Sequence, residues 1–134
     1  MSIDHPNLEI LSFTVNYEDG TTYEVQVKGV ESIEFKIPED TTYQMTIHFK
    51  VKGRTLQDLK YKQEVKAYGM IVRKREVDIG PEFEPSENTY DVTFEKDTTP
   101  KGMMLRGDYN CTSTYYANGE ELFLSPWKLS VTKK

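Results

Sequence analysis

Thr42-Tyr43-Gln44-Met45-Thr46-Ile47-His48-Phe49-Lys50-Val51-Lys52 is the stretch that decides the fold. Tyr43, Met45, Ile47, Phe49 and Val51 alternate without a fault with polar neighbours. A period of two sends successive side chains to opposite faces, so this stretch predicts a strand with one buried face. Ile33, Phe35 and Ile37 repeat the pattern upstream, as do Tyr23, Val25 and Val27, and residues 10–17 read the same way. Residues 61–67, 71–79 and 89–94 are shorter or less regular strand candidates. Asp19-Gly20, Lys28-Gly29, Lys52-Gly53, Tyr68-Gly69, Gly80-Pro81 and Asn118-Gly119 separate the runs with residues suited to turns. About nine strands with frequent turns predict an all-β fold, an antiparallel sandwich or barrel. Residues 54–60 have room for one helical turn, and no longer helix is expected.

The C-terminal third has a pattern of its own. A long alternating strand leads to Asn118-Gly119, the strongest short hairpin signal, and then to a closing strand with the single tryptophan, Trp127. In that strand Leu122 and Leu124 share one parity, whereas Trp127, Leu129 and Val131 share the other. Ser125-Pro126 sits at the switch, and proline cannot donate to a ladder. A bulge is therefore expected there, turning Trp127 relative to the leucines.

The 134 residues suffice for a single domain with one apolar core, residues 1–7 forming an N-terminal tail. Charged residues at 29% and apolar residues at 37% fit a globular chain. A net charge of −5 argues against general nucleic-acid binding. Cys111 is the only cysteine, so no internal disulfide can form. No apolar run near the start is long enough for a signal peptide and none is long enough to span a membrane, which together favour a cytoplasmic location. The sequon Asn110-Cys111-Thr112 is then read as coincidence.

Catalytic and metal chemistry find little support. His5 and His48 are the only histidines, and neither has a cysteine or carboxylate at metal-ligand spacing. There is no Gly-x-Ser-x-Gly elbow, P-loop or dinucleotide fingerprint. Glu82, Glu84 and Glu87 read as solvated charges of a proline-rich loop, and Arg73-Lys74-Arg75 as a solvated strand end. The expectation is a protein that is not an enzyme and needs no cofactor or metal.

Thr99-Pro100-Lys101-Gly102-Met103-Met104-Leu105-Arg106-Gly107-Asp108-Tyr109 resembles the Pro-Lys-Gly-Met-x-x-Arg-Gly-x-Tyr signature of the Rho GDP-dissociation inhibitors. Trp127-Lys128-Leu129-Ser130-Val131-Thr132-Lys133-Lys134 resembles that family's closing strand. Phe49-Lys50-Val51 with Leu59-Lys60-Tyr61, and Pro6-Asn7, match further positions in the same order. The resemblance implies an immunoglobulin-like antiparallel β-sandwich. It also implies a slot between the sheets for the geranylgeranyl tail of a Rho-family GTPase, which the protein would keep soluble and off membranes as a monomer without stable membrane insertion of its own. Carried over position by position, the lipid-binding residues implied are Val15, Phe35, Val51, Leu56, Met104, Cys111, Trp127 and Leu129. On periodicity alone each is an ordinary core residue.

The family's acidic pair before the Pro-Lys-Gly motif is diluted here to Glu95-Lys96-Asp97, so Glu95 and Asp97 are the implied GTPase contacts. Little precedes His5 where the family carries a regulatory arm, so inhibition of GDP release is expected to be weak if that arm is truly absent. One alternative is a general prenyl- or acyl-binding carrier of the same fold, similar to the delta subunit of photoreceptor phosphodiesterase. Another, of a different class, is a secreted adhesion or carbohydrate-binding β-sandwich, suggested by the sequon and by Tyr115-Tyr116.

Overall fold

Alternating sequences fold into sheets because pairing satisfies the backbone while one face of every strand leaves water. The computed structural model describes residues 5–67, 69–99 and 107–133, and among them ten strands carry this out. They are β1 (Leu8–Tyr17), β2 (Thr22–Gln26), β3 (Glu34–Pro38), β4 (Thr42–Val51), β5 (Leu56–Ala67), β6 (Met70–Phe83), β7 (Tyr90–Thr93), β8 (Asp97–Thr98), β9 (Gly107–Ala117) and β10 (Glu120–Thr132). One sheet runs β2-β1-β4-β7, with β8 also pairing along β4, and the other runs β3-β10-β9-β5-β6. The pairs are antiparallel except β3, which lies parallel to β10 with Phe35 beside Leu129. Every second residue of β4, from Tyr43 to Val51, is buried, as the alternation required. The core forms where the inward faces meet, with Leu8, Val15, Ile37, Ile47, Phe49, Val51 and Leu56 excluded from solvent.

Three expectations change. Residues 54–60 form no helical turn; β5 begins at Leu56. Leu56 and Leu59 are both buried three residues apart because Asp58 adopts a left-handed φ of 52°, which resets the strand parity between them. Gly80-Pro81 is not a turn either: both residues lie within β6. That strand is a sheet edge, where proline has no ladder bond to lose. Glu82 accordingly sits in β6 rather than in a loop.

The third change concerns β10. Its register shifts between Glu121 and Phe123, so the irregularity falls at Leu122, and Ser125-Pro126 continue the ladder opposite Ser113 and Thr112. The residues of β10 facing the core are Phe123, Ser125, Trp127, Leu129 and Val131, a single parity throughout. The apparent phase change came from Leu122, at the register shift, and Leu124 standing half-buried at the alternate positions, together with a serine at an inward position where an apolar residue would be expected. Pro126 is accommodated because β3 partners β10 only from Lys128 onward.

Gly80 has a local packing role. A Cβ built there would stand 2.6 Å from the Phe83 ring. Phe83 packs edge-on against Phe49 at 5.1 Å and Tyr90 at 5.0 Å, closing that end of the core. Gly80→Ala should therefore displace Phe83 and cost about 1–3 kcal/mol through overpacking, measured by urea unfolding. Phe83→Leu combined with Gly80→Ala should show much less than the sum of the two single losses.

Candidate functional site

Two hydroxyls facing the core mark the site. Ser113 of β9 and Ser125 of β10 are cross-strand partners, and both are buried. Serine is smaller than the apolar residues around it, so the pair leaves space between the sheets. The space holds a cavity of about 20 Å³, close to what a single water needs. Phe13 and Met45 approach it from one sheet; Phe35, Tyr61, Tyr115 and Trp127 approach it from the other. Gln63 and Ile33 complete its lining.

Trp127 is held by two contacts. Its indole Nε1–H donates to Ser113 Oγ at 2.9 Å, and its ring meets Phe35 edge-on at 5.0 Å. Phe35 in turn meets Phe13 edge-on at 5.7 Å, which carries the aromatic chain across to the opposite sheet. The Tyr61 hydroxyl has Gln63 Oε1 as its partner at 3.5 Å. Burial pushes the Tyr61 phenol up to about 12, so it remains neutral at physiological pH. Among the described residues no buried side-chain nitrogen or oxygen lacks a partner.

Of the residues expected to bind lipid, Phe35 and Trp127 line this cavity. Cys111 is the cross-strand neighbour of Trp127, and Leu129 lies beside Phe35, so both belong to the same end of the sandwich. Burial pushes the Cys111 thiol up to about 12, and it acts as an apolar wall rather than a nucleophile. Val15 is fully buried on β1 beside Met45. Val51 and Leu56 stand elsewhere. Val51 pairs with Leu8, seven residues along β1 from Val15, or roughly 23 Å at strand spacing. Leu56 pairs with Phe83 at that far end. Met104 lies outside the described residues.

Phe13, Met45, Tyr61, Tyr115 and the two serines were not among the expected residues. The signal was present in the sequence, since Ser113 and Ser125 interrupt apolar positions two residues before Tyr115 and Trp127 respectively.

Glu95 and Asp97 differ from each other. Glu95 is exposed, and its carbonyl accepts from Arg75 Nη2 at 3.2 Å. The Asp97 side chain retains only 10% exposure. It accepts two bonds from Arg73, at 2.9 and 2.6 Å, and one from the Tyr43 hydroxyl at 3.2 Å, with Arg75 at 3.6 Å. Arg73 and Arg75 belong to β6, and Asp97 and Tyr43 to the other sheet. Asp97 therefore clasps the two sheets along one edge, its charge already answered within the protein. Burial opposes its ionisation, but the Arg73 hydrogen bonds and both guanidinium charges outweigh it and hold the carboxyl below its ordinary value.

A polar row covers the outer face of the first sheet. Thr14 Oγ1 and His48 Nε2 are 2.7 Å apart, His48 Nδ1 and Asp91 Oδ1 are 2.5 Å apart, and Thr46 and Thr93 share a hydrogen bond of 2.8 Å. These contacts cross β1, β4 and β7 and bind the three strands laterally. No group of three or more potential metal ligands occurs among the described residues, and no helix among them is long and apolar enough to cross a membrane.

A family model described as "RHO protein GDP dissociation inhibitor" matches residues 2–134. The chain is 34% identical over 102 residues to the Rho GDP-dissociation inhibitor of Schizosaccharomyces pombe, covering 75% of this chain and 47% of that protein. It is 29% identical over 117 residues to the Saccharomyces cerevisiae Rho GDP-dissociation inhibitor, covering 84% and 57%. It is 28% identical over 101 residues to Rho GDP-dissociation inhibitor 1 of Rattus norvegicus, covering 75% and 49%. The chain thus spans about half the length of the curated relatives it matches.

The Asp97 clasp has a pH signature. A carboxyl whose folded pKa is depressed contributes stability that is present above its unfolded value of about 3.9 and is lost as pH falls through the lower folded value. Asp97→Asn should lower stability at neutral pH by about 1–3 kcal/mol. It should also flatten the fall in stability below about pH 4, as followed by urea unfolding across an acid pH series.

Proposed function

The chain belongs to the RHO protein GDP dissociation inhibitor family, and from that premise we propose that it takes the prenyl tail of a Rho-family GTPase between its sheets and keeps that GTPase off membranes. The observation that carries this reading is the inter-sheet cavity roofed by Trp127 and Phe35, in a chain matched by the family model from residue 2 to residue 134. Cys111, Leu129 and Val15 extend the apolar wall from this cavity. Met104 joins them on sequence position alone. Val51 and Leu56 serve the far end of the core.

Energetics favour such a site. A buried CH₂ is worth about 0.8 kcal/mol, so a long isoprenoid gains on the order of 10 kcal/mol on leaving water. The cavity is far too small for it, so lipid entry has to move side chains. Trp127 is the half-buried member of the lining aromatics and is held by one neutral hydrogen bond, worth about 1 kcal/mol net, and by its edge contact with Phe35, worth about 0.5–1.5 kcal/mol more. That cost is small beside the gain, so swinging the indole aside is an affordable first step. Extraction then depends on the difference between slot and bilayer, both of them apolar. Glu95 remains available to a basic partner, whereas Asp97 serves the clasp. Nothing in this action requires catalysis or a cofactor.

A geranylgeranylated peptide from a Rho-type C-terminus should shift or quench Trp127 fluorescence saturably. Ser125→Leu fills the cavity from β10 and should weaken that binding by roughly tenfold or more, with a loss of stability of about 1–3 kcal/mol at most. An unaltered affinity in Ser125→Leu would place the lipid elsewhere. Equal affinity for a Ras-type farnesylated peptide would favour a general lipid carrier over a Rho-directed one.

A further inference from the structure

The β5–β6 hairpin ends in a feature that the lipid slot does not use. Met70, Ile71 and Val72 are 70%, 45% and 56% exposed, and they are the large hydrophobic residues left exposed among the described residues. They are consecutive, and they begin an edge strand. Residues 65–75 contain Lys66, Arg73, Lys74 and Arg75 and no acidic residue, in a chain whose net charge is −5. Lys66 stands across the ladder from Ile71, and Lys74 stands across from Glu64. Asp97 engages both Arg73 and Arg75, so two guanidiniums share one carboxylate and a positive excess remains. The hairpin tip also continues the ladder row of Val65 and Cys111, so it projects at the end of the sandwich where Trp127 lies.

We infer that this tip docks on anionic lipid surfaces, with Met70, Ile71 and Val72 entering the headgroup boundary and Lys66 and Lys74 facing acidic headgroups. Size and charge select this occupant. Three exposed side chains fall far short of the roughly 800 Å² per partner of a stable protein interface. A shallow apolar insertion flanked by cations is sufficient for reversible membrane binding. Docking would bring the tryptophan end of the sandwich to the bilayer, but it requires no prenylated partner.

The test uses the whole chain alone, sedimented with vesicles of phosphatidylcholine or of phosphatidylcholine with phosphatidylserine. Binding should occur on the phosphatidylserine vesicles and fall as salt is raised. Lys74→Ser should weaken it about five-fold, the effect of one basic residue near a charged surface. The double variant Ile71→Ser with Val72→Ser should weaken it at least as much, and both sites are exposed enough to leave folding intact. Equal or absent binding on both vesicle types would overturn the inference. So would unchanged binding by the double variant, or a concentration-dependent dimer in solution that the same substitutions abolish. Prenyl-peptide binding followed through Trp127 should be unaffected by these variants, which separates failure here from failure of the lipid slot.

Discussion

Three aromatic rings span the gap between the sheets, and the shape of the site depends on them. Phe13 reaches from one sheet to Phe35, and Phe35 meets Trp127 on the strand beside it. Edge-to-face contacts add about 0.5–1.5 kcal/mol each beyond the area they bury, but their geometric consequence is greater. Rings set at 71° and 75° to one another act as struts rather than as a flat stack. With two serines beside them, they leave a void that aliphatic side chains would have closed. The site is therefore a deliberate fault in an otherwise filled core. Stability is held elsewhere, in the fully buried residues of β1, β4 and β5 and in the aromatic cluster of Phe49, Phe83 and Tyr90.

The two sheets are unequally braced. Asp97 ties β8 to β6 along one edge through charged hydrogen bonds, and the His48 row ties β1, β4 and β7 together across the outer face. At the other edge, β3 is added to β10 by a parallel pairing of five residues. If the sheets part to admit a lipid, the clasp makes its own edge the hinge and leaves the side of Phe35 and Trp127 to open. A carboxylate that counts as a docking acid in the sequence thus becomes, in the fold, part of the frame.

Most of the fold was legible because its information is local. Alternation in β4 predicts both the strand and its buried face, and Asn118-Gly119 predicts the hairpin between β9 and β10. The failures share a cause: tertiary context lets a strand carry residues that read as breaks. Asp58 in a left-handed conformation mimicked helical spacing, and Gly80-Pro81 on an exposed edge mimicked a turn. The site was less legible. Phe35 and Trp127 could be named from the family's motifs, but Phe13, Met45, Tyr61 and Tyr115 enter only through the facing of two sheets, which no single strand encodes. Val51 shares the buried parity of Met45 and yet lies at the other end of the molecule with Leu56, because parity gives a face and not a position along it.

The edge at β6 also bears on how the protein behaves when concentrated. An open strand edge is a template for a further strand. Here the register slips at Val72 and again at Ile79, and Pro81 follows. Between the two slips the regular run is Arg73-Lys74-Arg75-Glu76-Val77-Asp78, which offers an incoming strand almost nothing but charge. Fibrillar stacking needs a long, flat, uncharged edge, and this strand is interrupted before it can become one. Its exposed large apolar residues are confined to the short stretch beyond the first slip, whereas Val77 and Ile79 are buried in the core, so the unpaired strand is a poor template for fibrillar stacking.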